Sequence, residues 1–216
     1  MTNLNPEHEA LRAEYKQRYD AVLAPLAAEL RAYVSRFLEG QPRIDRIAAR
    51  PKGIEKFVTK AFKLDKTGQR KYREPLDEIQ DQIGARIITF YQSDVSRLDP
   101  LIKEWLRPIE YKDHVPESHW EFGYFGRHYI LAIPTDVINP NWPQEMIPRF
   151  FELQVKTLFE HAWSEAEHDI GYKPGEETLT SDQTRSLAYT SAQAWGADRM
   201  FDDLFKKRIG PGPSST

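Results

Sequence analysis

The sequence predicts an α/β (α+β) domain: one sheet, flanked by N- and C-terminal helices. Three observations carry that prediction. Short runs rich in β-branched and aromatic residues, at 83–91, 128–133 and 150–156, read as strands. Segments with helical apolar spacing stand between and around them. With 216 residues, 40% hydrophobic and 29% charged, the chain has the balance of a single soluble domain. A folded chain of this length buries roughly 70% of its unfolded surface, so it needs no disulfide or metal staple.

Glu7 to Phe37 reads as helix, because Leu11, Tyr15, Tyr19, Leu23, Leu26, Leu30 and Val34 recur at spacings of three and four. Pro25 inside that pattern is expected to kink or split it. Gly40-Gln41-Pro42 ends it. Pro51 to Lys63 gives a second helix with Ile54, Phe57, Val58 and Phe62 on one side, and polar Asp65 to Arg73 reads as a mobile loop. Ile83 to Tyr91 is the first strand. Asp94 to Leu106 follows as a helix, with Val95, Leu98, Leu101, Ile102 and Trp105 inward. His128 to Ile133 and Phe150 to Lys156 are the next strands, and Thr157 to His168 is a helix. Ser181 to Lys207 closes the order, with Leu187, Trp195, Met200, Phe201, Leu204 and Phe205 as its apolar side. Gly210 to Thr216 is expected to be disordered.

Composition excludes several classes. Cysteine is absent, which removes disulfide frameworks, thiolate zinc sites and thiol catalysis, and agrees with a cytoplasmic protein. No run approaches the ~18 apolar residues of a spanning helix, and Met1–Pro6 is no signal peptide, so no membrane is expected as a partner. The net charge of −3 is unevenly spread: Arg31 to Arg73 holds 13 Lys/Arg against 4 Asp/Glu. Such a block fits a local anion site, and equally a solvated helical face.

Four segments can carry chemistry. Arg50-x-Lys52 with Lys56 and Lys60 gives cations on one side of the second helix, suited to a polyphosphate or to plain surface decoration. Asp81-Gln82-Ile83-Gly84-Ala85-Arg86 puts a carboxylate before a strand and an Arg inside it. The carboxylate could hold Mg²⁺, and the Arg needs an anion or an aromatic face; an ordinary ion pair is the alternative. Phe122 to Tyr129 frames Tyr124 with glycines, leaving a ring free to stack on a base or to pack in a turn. Phe151 to Thr157 alternates, with Glu152, Gln154 and Lys156 on one strand face, and runs into Trp163, Glu167-His168 and Tyr172-Lys173.

Taken in order from Arg50 to Lys173, these motifs resemble the synthetase domain of RelA/SpoT-type alarmone synthetases in its short, single-domain form. That family shows Arg-x-Lys with a later Lys, Asp-Ile-x-Gly-Ile-Arg, Gly-Tyr-x-Ser-x-His, then Glu-Ile-Gln-Ile-Arg-Thr, Trp, Glu-His and Tyr-Lys. The resemblance implies a nucleotidyltransferase-like mixed sheet in one domain over 1–209. Its N-terminal helices would lie within 7–63, its catalytic core within 50–173 and its C-terminal helices within 181–208, before the tail at 210–216. It implies transfer of the β,γ-pyrophosphate of ATP to a nucleotide 3′-hydroxyl with Mg²⁺, and no hydrolase activity.

By the same resemblance, Arg50 and Arg86 sandwich the adenine, while Lys52, Lys56 and Lys60 meet the triphosphate. Asp81 holds Mg²⁺, and Glu152 is a second metal contact or the base that takes the hydroxyl proton. Tyr124 stacks on the acceptor base; His128, Gln154, Lys156, Glu167 and His168 help hold the acceptor. Lys156 stands where the family has Arg, and Lys56 and Gly126 where it has Ser. Pro116-Glu117 replaces the family's Pro-Lys, and no Lys or Arg lies between Lys112 and Gly123. GDP or GTP is the expected acceptor. Modification of the 3′ end of tRNA, by a toxic branch that a protein antitoxin would neutralise, is the alternative; a non-catalytic nucleotide-binding regulator comes third. The resemblance also leaves room for a homo-oligomer.

Overall fold

The computed structural model describes residues 6–114, 121–123, 126–171 and 179–209. The expected long helix forms as α1 (Pro6–Arg18) and α2 (Ala24–Phe37), joined by a π turn over Tyr19–Leu23. Pro25 causes the break. It stands in the first turn of α2, where it needs no N–H, and the Ala24 N–H bonds back five residues to the Tyr19 carbonyl. Tyr15, Leu23, Leu26, Leu30 and Val34 are buried as their spacing predicts.

Five strands form one mixed sheet in the order β1-β2-β5-β4-β3. Central β2 (Ile83–Thr89) and β5 (Phe150–Thr157) are parallel; β1 (Ile44–Pro51), β4 (Gly126–Ala132) and β3 (Glu110–His114) join antiparallel. The two strands absent from the sequence expectation, β1 and β3, are the edges. Edge strands need little apolar content, and here they carry Asp45, Arg46 and Arg50, or Glu110, Lys112 and Asp113. The basic block is therefore partly a strand, and the second helix shortens to α3 (Ile54–Ala61). Lys52 lies between β1 and α3, just before the helix, and a one-turn helix α4 (Pro75–Glu78) precedes β2. The Asp65–Arg73 segment is a tight turn: Asp65 accepts bonds from the Thr67 and Gln69 N–H groups, and Leu64 bridges Arg70.

On one face of the sheet, Ala85, Ile87, Leu131, Phe151, Leu153 and Val155 are buried against α2 and α5 (Gln92–Leu101). The opposite face is polar. α6 (Leu158–Gly171) follows β5 directly, and α7 (Ser181–Ile209) packs on α6 and α5. Two burial expectations are corrected. Trp105, expected inward, is 67% exposed, because a second π turn over Ile102–Leu106 changes the helical phase and leaves Ile102 inside. On α7, Trp195, Met200, Phe201 and Leu204 are exposed, while Ser191, Asp198 and Asp202 are buried. The buried side of α7 is polar because it bonds to ends of other elements: Asp202 accepts from the Ser93 N–H at the start of α5, and Asp198 from the Thr157 hydroxyl at the end of β5. The expected disordered tail at 210–216 lies outside the described residues.

Candidate active site

Strand register assembles the site. Arg50 on β1 lies opposite Gly84 on β2, Gly84 opposite Glu152 on β5, Arg86 opposite Gln154, and Gln154 opposite His128 on β4. Directly paired residues share a face, so four motifs far apart in sequence meet on the polar side of the sheet. A cleft of about 700 Å³ opens there, lined by Arg50, Lys52, Lys56, Asp81, Arg86 and Glu152 among others. At Gly84 the floor is open: a Cβ there would meet nothing within 4 Å.

At one end Asp81 stands between two cations, 2.9 Å from Lys52 Nζ and 2.8 Å from Lys60 Nζ. Lys52 is held at its backbone on both sides: its N–H donates to the Gln82 carbonyl, and its carbonyl accepts from the Tyr15 hydroxyl at 2.9 Å. Tyr15 is fully buried and stacked on Phe57 at 3.7 Å. Arg18, the buried last residue of α1, donates to the Leu76 and Glu145 carbonyls and the Gln82 side chain. The N-terminal helix is thus the backboard of the Lys52–Asp81 pair.

At the other end Arg86 donates to Glu165 at 2.6 Å and lies 3.2 Å from His161 Nδ1, and Arg50 reaches Glu165 at 4.0 Å. Glu165 titrates below the ordinary range: burial opposes its charge, but the Arg86 guanidinium outweighs it. Lys56 Nζ is 3.2 Å from His168 Nε2, and burial with the repulsion of Arg50 and Lys52 lowers its pKa. His161 and Glu165 were missed by sequence reasoning, and His168, expected to hold the acceptor, meets Lys56 instead. The signal for the three was the i, i+4, i+7 spacing on a helix that follows a functional strand.

Between the ends, Glu152 Oε1 pairs with His128 Nδ1 at 2.9 Å, and its Oε2 accepts from Gln154 Nε2 at 2.6 Å. Burial alone would raise this acid, but those partners bring it down to about 2. The Gln154 Oε1 is buried with no hydrogen-bond partner, an acceptor facing unused capacity.

Not every expected residue joins the cleft. Lys156 is only 2% exposed, buried under α6 with Nζ donating to Ser164 Oγ at 3.0 Å, and burial and the neighbouring Arg86 push it down to about 8. It supports the floor from within and is not open to an acceptor as expected. Glu167, on α6, is not among the described residues that line the cleft. Tyr124, Glu117 and Tyr172-Lys173 lie outside the described residues.

Residues 49–177 match the family model described as a region found in RelA / SpoT proteins. The chain is 28% identical over 138 residues to the GTP pyrophosphokinase YwaC of Bacillus subtilis (strain 168), a match covering 63% of this chain and 62% of that one. With the GTP pyrophosphokinase YjbM of the same organism it shares 26% identity over 139 residues, covering 60% of this chain and 57% of the relative. The matches therefore span less than two thirds of either relative. Among solved structures, smu.1046c from Streptococcus mutans UA159 superposes with TM-score 0.66 at 24% identity, over 90% of this chain and 95% of that one. The small alarmone synthetase 1 from Bacillus subtilis, bound to its product pppGpp, gives TM-score 0.64 at 17% identity, over 95% and 100%. Those structural likenesses establish a shared mixed α/β fold. With its sheet, cleft and motifs inside a family match covering more than half its length, the chain belongs to the RelA/SpoT family.

Proposed function

We propose that the chain is an ATP pyrophosphokinase that transfers the β,γ-pyrophosphate of ATP to the 3′-hydroxyl of GDP or GTP. The observation that carries this reading is the meeting of Lys52 and Asp81 in one cleft with Arg50 and Arg86, with Lys60 paired to Asp81. The arrangement separates a triphosphate end, rich in point charges, from a base end with two planar guanidiniums. In the reaction the 3′-oxygen bonds to the β-phosphorus, the bond to the α,β-bridging oxygen breaks, and AMP leaves. Most of the catalysis is positioning and charge neutralisation, because the transition state is loose. Glu152, ionised down to about 2, orients the hydroxyl through its own oxygens and through His128 rather than taking the proton early. That proton passes to water as the new P–O bond completes.

The donor set fits Mg²⁺. Asp81 Oδ1 is buried and meets Lys60 outside hydrogen-bond geometry, which leaves it acceptor capacity. Among the described residues no group of three or more His, Asp or Glu could hold a metal alone. This suits an ion that completes its shell with phosphates and water. Asp81 and Glu152 would hold it, and it would neutralise charge on the transferring phosphates.

A guanosine acceptor needs a cation for its 5′-phosphates. Three cations stand near His128 and Gln154: Arg127 is tied to Asp113 and Asp99, on the face opposite His128, Lys156 is buried, and Lys112 is the third. Lys112 is exposed and directly opposite His128 on the polar face, so it takes that role. The test is incubation with γ-labelled ATP, Mg²⁺ and either GDP, GTP or deacylated tRNA. Labelled guanosine product is expected, with Asp81→Asn folded but on the order of a thousandfold slower. Lys112→Glu is expected to raise the GDP KM roughly tenfold with less effect on ATP. Labelled tRNA with inert GDP, in a reaction falling steeply with salt, would replace the acceptor with tRNA.

A further inference from the structure

A second cavity, of about 330 Å³, lies behind the sheet, away from the cleft. Its walls come from four places: Gln92 and Val95 of α5, the β3–β4 end at Asp113 and Arg127, Trp163 and Glu160 of α6, and the buried side of α7. On that side stands Asp198, 2% exposed. Its Oδ2 accepts from the Thr157 hydroxyl at 2.6 Å and from Gln92 at 3.4 Å; its Oδ1 is buried with no partner. Among the described residues no Lys, Arg or His forms an ion pair with it, although neighbouring Asp202 has Lys206.

A buried carboxylate oxygen without a donor is costly, and proteins keep few of them. The surroundings say what is missing. Glu160 fills both its oxygens with neutral donors, Gln92 and the Thr157 N–H. Arg127 is engaged by Asp113 and Asp99, and Arg199 lies over the Trp195 ring at 5.0 Å. The lining thus carries three carboxylates against two occupied guanidiniums, beside two indoles.

We infer that this cavity binds a small organic cation with N–H donors, an alkylammonium or guanidinium, whose charged head pairs with Asp198 and whose apolar body lies against Trp163 and Trp195. A cation adds the missing donor to Oδ1, offsets the repulsion among Glu160, Asp198 and Asp202, and is attracted by an indole face. A free phosphate or a nucleotide tail fits badly, because every guanidinium here already has a partner. Ser191, also on the wall, donates to the Gly123 carbonyl at 2.7 Å.

The ionisation of Asp198 makes the site testable by pH. Asp198 is pushed up to about 7 by burial and by Glu160 and Asp202, against the bonds from Thr157 and Gln92. The charged groups around it are Glu160 on α6, Asp202 and Arg199 on α7, and Asp113 and Arg127 at the strand ends. A cation pairs with the ionised form, so affinity rises as pH passes upward through 7.

The experiment is calorimetric titration of the full chain, without ATP, using agmatine and putrescine at pH 6 and pH 8. One saturable site is expected, about tenfold tighter at pH 8 than at pH 6. Asp198→Asn is expected to abolish it, and Ala194→Leu, which fills the cavity from α7, to abolish it independently should the first variant fold poorly. Cytidine, a neutral nucleoside, is expected to give no heat. Absence of saturable binding at pH 8, equal affinity at both pH values, or unchanged binding by Ala194→Leu overturns the assignment. Binding of cytidine in place of the amines makes the cavity a base pocket and overturns it as well. None of these outcomes depends on pyrophosphate transfer.

Discussion

Replacing Lys156 by methionine is expected to stabilise the protein while harming its site. Lys156 is buried beneath α6, and its pKa falls from 10.5 to about 8, chiefly through burial and then through Arg86. At about 1.4 kcal/mol per pH unit, carrying that charge at neutral pH costs roughly 3 kcal/mol. Methionine has a similar length, needs no proton and forfeits the hydrogen bond to Ser164, worth about 1 kcal/mol. The net gain is about 2 kcal/mol, or roughly 4–8 °C in Tm for a chain of this size. The pH dependence identifies the cause. The folded pKa lies below the unfolded one, so the cost is fully present below pH 8 and disappears as pH rises to 10.5. The advantage of Lys156→Met over the native chain should shrink across that window. Calorimetric melts at pH 7 and pH 10 measure it. A variant less stable at pH 7, or an advantage equal at both pH values, refutes the argument.

Glu152 has the opposite linkage: held at about 2, it contributes stability that is complete above its ordinary value of 4.5 and is lost as pH falls toward 2. Urea melts from pH 5 to pH 2 should show the difference between native and Glu152→Gln chains shrinking; a constant difference would sink the assigned network. Tyr15→Phe keeps the stack on Phe57 and removes only the bond to the Lys52 carbonyl. About 1 kcal/mol of stability should go, with a raised ATP KM and little change in kcat; a pure stability loss would deny the backboard role. Arg18→Met leaves the Glu145 carbonyl and the Gln82 side-chain oxygen without their donor, while the Leu76 carbonyl keeps Gln82 Nε2, and about 3 kcal/mol lost in denaturant melts is expected. A loss under 1 kcal/mol would show that water replaces it.

The sequence by itself determined the sheet's central strands, the helices beside them and the order of the motifs. Ile83 to Thr89 and Phe150 to Thr157 are buried on at least one face, and burial writes itself into apolar pattern. It could not determine the edges. Strands β1 and β3 satisfy only one side and carry charges, so their pattern is indistinguishable from a basic surface or a loop. Helix α7 shows the limit most clearly: its apolar side, read as core, faces outward, because its Asp side chains bond the ends of α5 and β5 and its buried Ser191 bonds the Gly123 carbonyl. The candidate site was legible as a list of residues only through the resemblance that the motifs carry together, since each motif alone also allows an ion pair or a solvated surface. Which of them share a cleft was decided by register, which pairs Arg50 with Gly84 and Arg86 with Gln154. Tertiary packing alone sent Lys156 inside, set Tyr15 and Arg18 behind Lys52, and brought His161 and Glu165 to Arg86. Pairing across strands and burial under a helix are long-range properties, and no local spacing encodes them.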